Sequence, residues 1–128
     1  MITLSLLKYL EDNGFGVIDE SLFWQKLGLD KVGIYISDVG STHNRGELRS
    51  TTYELYSRGT SDVQGYEQLE AIVNFLASSY GTCELPAVPP VTQEGYSNVT
   101  IMPPSTITNA GEDEQGRIVY NATGRIYY

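Results

Sequence analysis

Apolar and polar positions change period several times along the chain, and each change marks a different element. Ile2, Leu6, Leu7 and Leu10 share one face at helical spacing, Thr3 stands where a cap could sit, and Asn13-Gly14 reads as a stop. A first helix is therefore expected over about residues 2–12. The short apolar run FGVI follows. DESLFWQKLGLD then reads either as a short helix capped by Asp19 or as an irregular stretch carrying Phe23, Trp24, Leu27 and Leu29. Residues 32–39, VGIYISDV, are β-branched and aromatic and predict a strand, and the glycines of GSTHNRG predict a flexible polar loop over about 40–49. In STTYELYSR, residues 50–58, Thr51, Tyr53, Leu55 and Ser57 alternate with Thr52, Glu54, Tyr56 and Arg58, the period of a strand covered on one face.

The second half repeats this order. After a turn at residues 59–62, Tyr66, Leu69, Ile72, Val73, Leu76 and Tyr80 recur at three and four, predicting a helix over about 65–80 that stops at Gly81. Residues 84–96 hold three prolines and read as a connector, because proline removes a ladder donor and holds the preceding residue extended. SNVTIM predicts a strand ended by Pro103-Pro104, and residues 103–116 a second polar loop. RIVYNATGRIYY closes the chain as a strand with Ile118, Tyr120, Ala122, Ile126 and Tyr128 on one face. The order α, β, β, α, β, β predicts one small α+β domain over residues 1–128, a mostly antiparallel sheet with two helices packed on one face.

Composition narrows what such a domain could do. With 128 residues, 41% hydrophobic content and ten tyrosines, the chain is long enough and aromatic enough to bury a core unaided. Cys83 and His43 are the sole residues of their kinds, so no internal disulfide and no Cys/His metal site is expected, and assembly in a reducing cytoplasm fits. The N-terminal segment has no basic region, continuous apolar run or cleavage site, and no stretch nears the roughly 18 apolar residues of a membrane span. Neither secretion by a leader nor a membrane partner is expected. A net charge of −8 repels phosphate backbones, which disfavours tight nucleic-acid binding while allowing nucleic acid to pass.

Motifs for catalysis are missing: there is no phosphate-binding glycine loop with its lysine, no His-Glu-x-x-His helix and no nucleophile elbow. Consecutive acids at Glu112, Asp113 and Glu114 point apart and so cannot converge on a metal, and their spacing does not fit a calcium loop. Asp113-Glu114-Gln115-Gly116 instead fits a type I turn with Gly116 left-handed, placing Arg117 within reach of Asp113 or Glu114. No catalytic residue, metal or cofactor is expected. The two remaining enzyme and ligand readings are a small metal-dependent hydrolase using the 112–114 acids with His43 or Asp38, and a tyrosine-based carbohydrate-binding module.

Several segments, in this order, carry a family resemblance: the N-terminal helix, SLFWQKL, VGIYISDVGS, STTYELYSRG, DVQGYEQLEAIVNFL and DEQGR before an alternating strand. Nearly the whole chain resembles the small tail terminator or minor capsid proteins of long-tailed bacteriophages. The Pro-rich connector at 84–96 departs from that pattern. The resemblance implies a non-enzymatic virion protein of the tail and neck that forms a homo-oligomeric, hexameric ring. Such a ring caps the tube of major tail protein, stops its polymerisation and meets the head-completion or connector protein. Genomic DNA would cross its acidic lumen only in passage. A head–tail adaptor is the alternative within the same virion. On this reading His43, Arg45, Arg49, Asp113, Glu114, Arg117 and Arg125 are the candidate contacts between subunits or with partners.

Overall fold

A computed structural model describes residues 2–25, 31–43, 49–78, 83–89 and 94–128, with the backbone alone at 41–43. In chain order the elements are α1 (Ile2–Asp12), β1 (Leu22–Trp24), β2 (Gly33–His43), β3 (Arg49–Arg58), α2 (Asp62–Ala77), β4 (Cys83–Leu85), β5 (Tyr96–Ile101), β6 (Thr108–Glu112) and β7 (Ile118–Tyr127). The strands make one curled sheet, a half-barrel, in the order β1-β2-β3-β7-β5-β4, with β6 also paired to β7. Every pairing is antiparallel except β1 with β2. The expected α+β domain is therefore the observed one, with three short strands added.

Alternation along the long strands sets two faces. Thr51, Tyr53 and Leu55 of β3 stand beside Ile126, Gly124 and Ala122 of β7, and Leu55 beside Ile36 of β2, all turned to the helices. Glu54, Tyr56, Asn121 and Arg125 take the outer face, where Tyr35 and Tyr56 stack with ring centroids 4.7 Å apart. Tyr53 is fully buried, its hydroxyl finds no hydrogen-bond partner among the described residues, and burial pushes the phenol well above its ordinary pKa.

α1 is more deeply buried than one apolar stripe predicts. Residues 2–7 are all buried, Thr3 and Ser5 included, because the sheet curls around the helix. Thr3 lies inside α1 and is no cap; its Oγ1 accepts the Trp24 Nε1 hydrogen bond at 3.1 Å. The stop at Asn13-Gly14 does form. Gly14 is left-handed (φ 84°), and Phe15 N and Gly14 N donate to Leu10 O and Glu11 O at 3.1 and 3.0 Å, a Schellman ending.

α2 starts earlier than expected, at Asp62, because Ser61 caps it by accepting from Gln64 N at 3.1 Å. Gly65, Leu69, Ile72 and Leu76 form its buried stripe, while Tyr66, expected there, lies at the surface against Tyr120. The reason is proximity. A Cβ on Gly65 would lie 2.9 Å from Gly59 N, so the helix meets the end of β3 with no room for a ring. Gly81 and Tyr80 lie outside the described residues.

The segment DESLFW is neither helix nor irregular: Leu22–Trp24 is a strand, parallel to Ile34–Ile36, and Asp19 sits in a turn at φ 70°. Both expected loops are partly sheet. β2 runs on through Gly40–His43 after a bulge, whereas residues 44–48 are outside the described residues. Within 103–116, β6 pairs with β7, and the connector 84–96 begins and ends in β4 and β5. Between β5 and β6 the chain stays tied to β7 at two points: Met102 N donates to Arg125 O at 2.9 Å and Ser105 N to Thr123 O at 2.7 Å. The prolines 103 and 104 fall between those two bonds, where no ladder donor is needed.

Candidate functional site

The acidic turn is a structural knot. Gly116 is left-handed (φ 76°) and donates to Asp113 O at 3.0 Å, while Asp113 N donates to Arg117 O at 2.8 Å, so the expected turn into β7 is present. Asp113 is its hub. Oδ1 accepts from Gln115 N and Arg117 N at 2.9 and 2.8 Å, and Oδ2 meets Arg117 Nε at 2.9 Å and Arg58 Nη1 at 3.3 Å. Burial pushes this carboxyl up, but the N–H and side chain of Arg117 and the N–H of Gln115 outweigh it and hold the pKa below the usual aspartate value.

Arg58, at the end of β3, is 6% exposed and donates through Nε and Nη2 to Lys31 O at 3.0 and 2.6 Å. One arginine thus joins the segment before β2, the end of β3 and the β6–β7 turn. Asp62, in the first turn of α2, adds a tie by accepting Ile118 N at 3.1 Å. Both Asp113 oxygens are engaged, so this carboxylate serves to hold the turn and the strand ends together. Its chemistry is that of a clamp.

Six of the seven expected contact residues lie among the described residues and separate into two groups. Asp113, Glu114 and Arg117 lie at the turn, next to the end of β3. Arg49 and His43 are register partners at the far end of β3, and Arg125 is opposite Thr52, also toward that end. Arg49 and Arg58 are the two ends of the ten-residue β3, a span of roughly 30 Å. The 112–114 acids and His43, joined in the hydrolase reading, are therefore far apart. Glu114 and Arg125 are exposed, and Arg125 Nη2 donates to Thr52 Oγ1 at 3.3 Å. Arg49 sits close enough to Tyr96 to offset part of the upward push that burial and Tyr128 give its phenol. Arg45 lies outside the described residues.

The open groove at the end of α1 is lined by Tyr9, Asp12, Glu84, Pro86, Tyr96 and neighbouring residues, with a volume of about 580 Å³. Lys8 bridges Glu11 and Asp12 at 2.7 and 3.2 Å, so Asp12, one of the groove's two carboxylates, is paired. Cys83, the first residue of β4, is half-buried, and burial pushes its thiol up, which weakens it as a nucleophile. Among the described residues no three His, Cys, Asp or Glu side chains come together to hold a metal ion, and no helix is long and apolar enough to cross a membrane.

Arg58 is the structural residue that sequence reading missed as a site. Its place on the polar side of an alternating strand suggested a solvated charge, and its partners lie far away along the chain. No known protein family matches the chain, and no curated protein is significantly similar to it.

Proposed function

We propose that this chain is a tail terminator of a long-tailed bacteriophage: a structural subunit that forms a ring on the last ring of the tail tube, stops its growth and presents a surface to the head connector. The observation that carries the reading is the order of segments described above, from the N-terminal helix through STTYELYSRG and DVQGYEQLEAIVNFL to DEQGR and the last strand. The clamp supports it. A subunit that must hold its shape between two partners gains from charged groups used to lock strand ends rather than to react.

The charge of −8 supports it as well, since an acidic channel wall repels DNA over about a Debye length and lets it run through without sticking. Negative-stain microscopy of the purified chain mixed separately with headless tails and with filled, tailless heads tests the reading. Rings capping one end of the tails are expected. Rings on the heads alone would make the chain a head–tail adaptor, and binding to neither would reject both roles.

A further inference from the structure

Register across the outer face places two exposed apolar side chains on either side of an arginine. Arg125 of β7 is opposite Thr52 of β3, and its carbonyl accepts the Met102 N–H at 2.9 Å. Thr52 is in turn opposite Gly40 of β2, and Val39 is the residue inserted at the bulge beside it. The row from Val39 through Thr52 and Arg125 to Met102 crosses four strands, with Val39 56% and Met102 44% exposed. Residues 95–111 contain no charged residue and residues 118–128 only Arg125, in a chain of net charge −8. Glu54, the nearest outer-face carboxylate on β3, accepts a hydrogen bond from Tyr56.

The helix layer on the other side of the sheet carries the opposite pattern. α2 exposes Val63 (67%) and Tyr66 (39%) together with Glu67 and Glu70, and has no basic residue along its length. Four of the five large exposed apolar residues of the described chain therefore sit in two patches, one beside a cation and one beside carboxylates. Their dimensions agree. Val63 to Glu70 spans about 10 Å along the helix, and three strand spacings make the row about 14 Å long.

We propose that these patches are two halves of one head-to-tail interface, in which the α2 stripe of one copy lies across the Val39–Arg125–Met102 row of the next. The inference rests on the ring reading and supplies its contact. A second copy is the occupant because both halves are on this chain with complementary charge, and because copies this acidic repel one another unless opposite charges meet locally. Two different patches on opposite layers make the contact heterologous, so it repeats from copy to copy and can close into a ring.

Charge reversal of the full chain tests this by sedimentation velocity, with circular dichroism to verify folding. Arg125→Glu alone, and Glu67→Arg with Glu70→Arg alone, should each weaken self-association by about tenfold or more. An equimolar mixture of the two variants should assemble, because reversed stripe then meets reversed row while the unchanged halves meet each other. Wild-type chain that stays monomeric, variants that assemble unaltered, or a folded mixture that stays monomeric would each overturn the interface. Unaltered assembly of the variants on tails that still stop at normal length would leave the terminator reading standing, whereas normal tail length without the chain would remove that reading.

Discussion

Replacing Gly124 with alanine tests whether the β3–β7 packing is as close as described. In a strand interior alanine normally gains about 0.5–1 kcal/mol over glycine. Here the buried Tyr53 ring lies over Gly124, and a Cβ would come 2.5 Å from its Cζ and 2.9 Å from its Cε1, with the hydroxyl oxygen nearer still. Carbon atoms in favourable contact are about 3.5–4.0 Å apart. A fully buried ring cannot swing aside, so the overpacking cost falls toward the upper end of about 1–3 kcal/mol. The net loss is then about 2 kcal/mol once alanine's usual advantage is subtracted. For 128 residues at about 2.1 cal/mol/K each, the unfolding entropy is roughly 0.27 kcal/mol/K, and Tm should fall by about 7 °C. Thermal melts of wild type, Gly124→Ala, Tyr53→Leu and the double variant complete the cycle. With leucine at 53 the clash is gone and alanine should regain its usual advantage of about 0.5–1 kcal/mol, giving a coupling of about 3 kcal/mol. An unchanged Tm for Gly124→Ala, or an equal penalty in both backgrounds, would refute the argument.

Other predictions concern charge and capping. The hydrogen bond to Glu54 and burial push the Tyr56 phenol up to about 12, so its contribution to stability is complete below the ordinary tyrosine pKa near 10 and is lost as pH rises through 12. Alkaline titration of tyrosinate absorbance should show a late fraction that Glu54→Gln moves to lower pH; no movement would remove Glu54 as the cause. Asp113 is held below its ordinary pKa, so its stabilisation is present above about pH 4 and disappears as pH falls through the lowered value. Asp113→Asn should lower Tm at neutral pH and match wild type in strong acid, and equal melting at neutral pH would show that the clamp is dispensable. Ser61→Ala removes the α2 cap and should cost about 1 kcal/mol in chemical denaturation, whereas a change within error would assign the cap elsewhere.

What the sequence made legible depended on local cause. Strand alternation at 50–58 and 118–128 was readable because each strand is covered mainly on one side, and the 113–116 turn because Asp113 and Gly116 are suited to its backbone. α1 looked amphipathic and is buried over residues 2–7, since the curl of the sheet depends on contacts that helical spacing does not encode. β1, β4 and β6 are three to five residues long, too short for a period to stand out, and their pairing is what makes them strands. The candidate contact residues were readable as charged loop or strand positions, but not their division between two ends of β3. The Val39–Arg125–Met102 row was invisible because it exists only across strands, through the register and one bulge.

The terminator reading is tested most directly by the length distribution of tails assembled with and without this chain, measured on electron micrographs. Tails should end at one length when the chain is present and run on to variable, longer lengths without it, with uniform tails recovered on adding the purified protein. Uniform tails of normal length in its absence would contradict the reading.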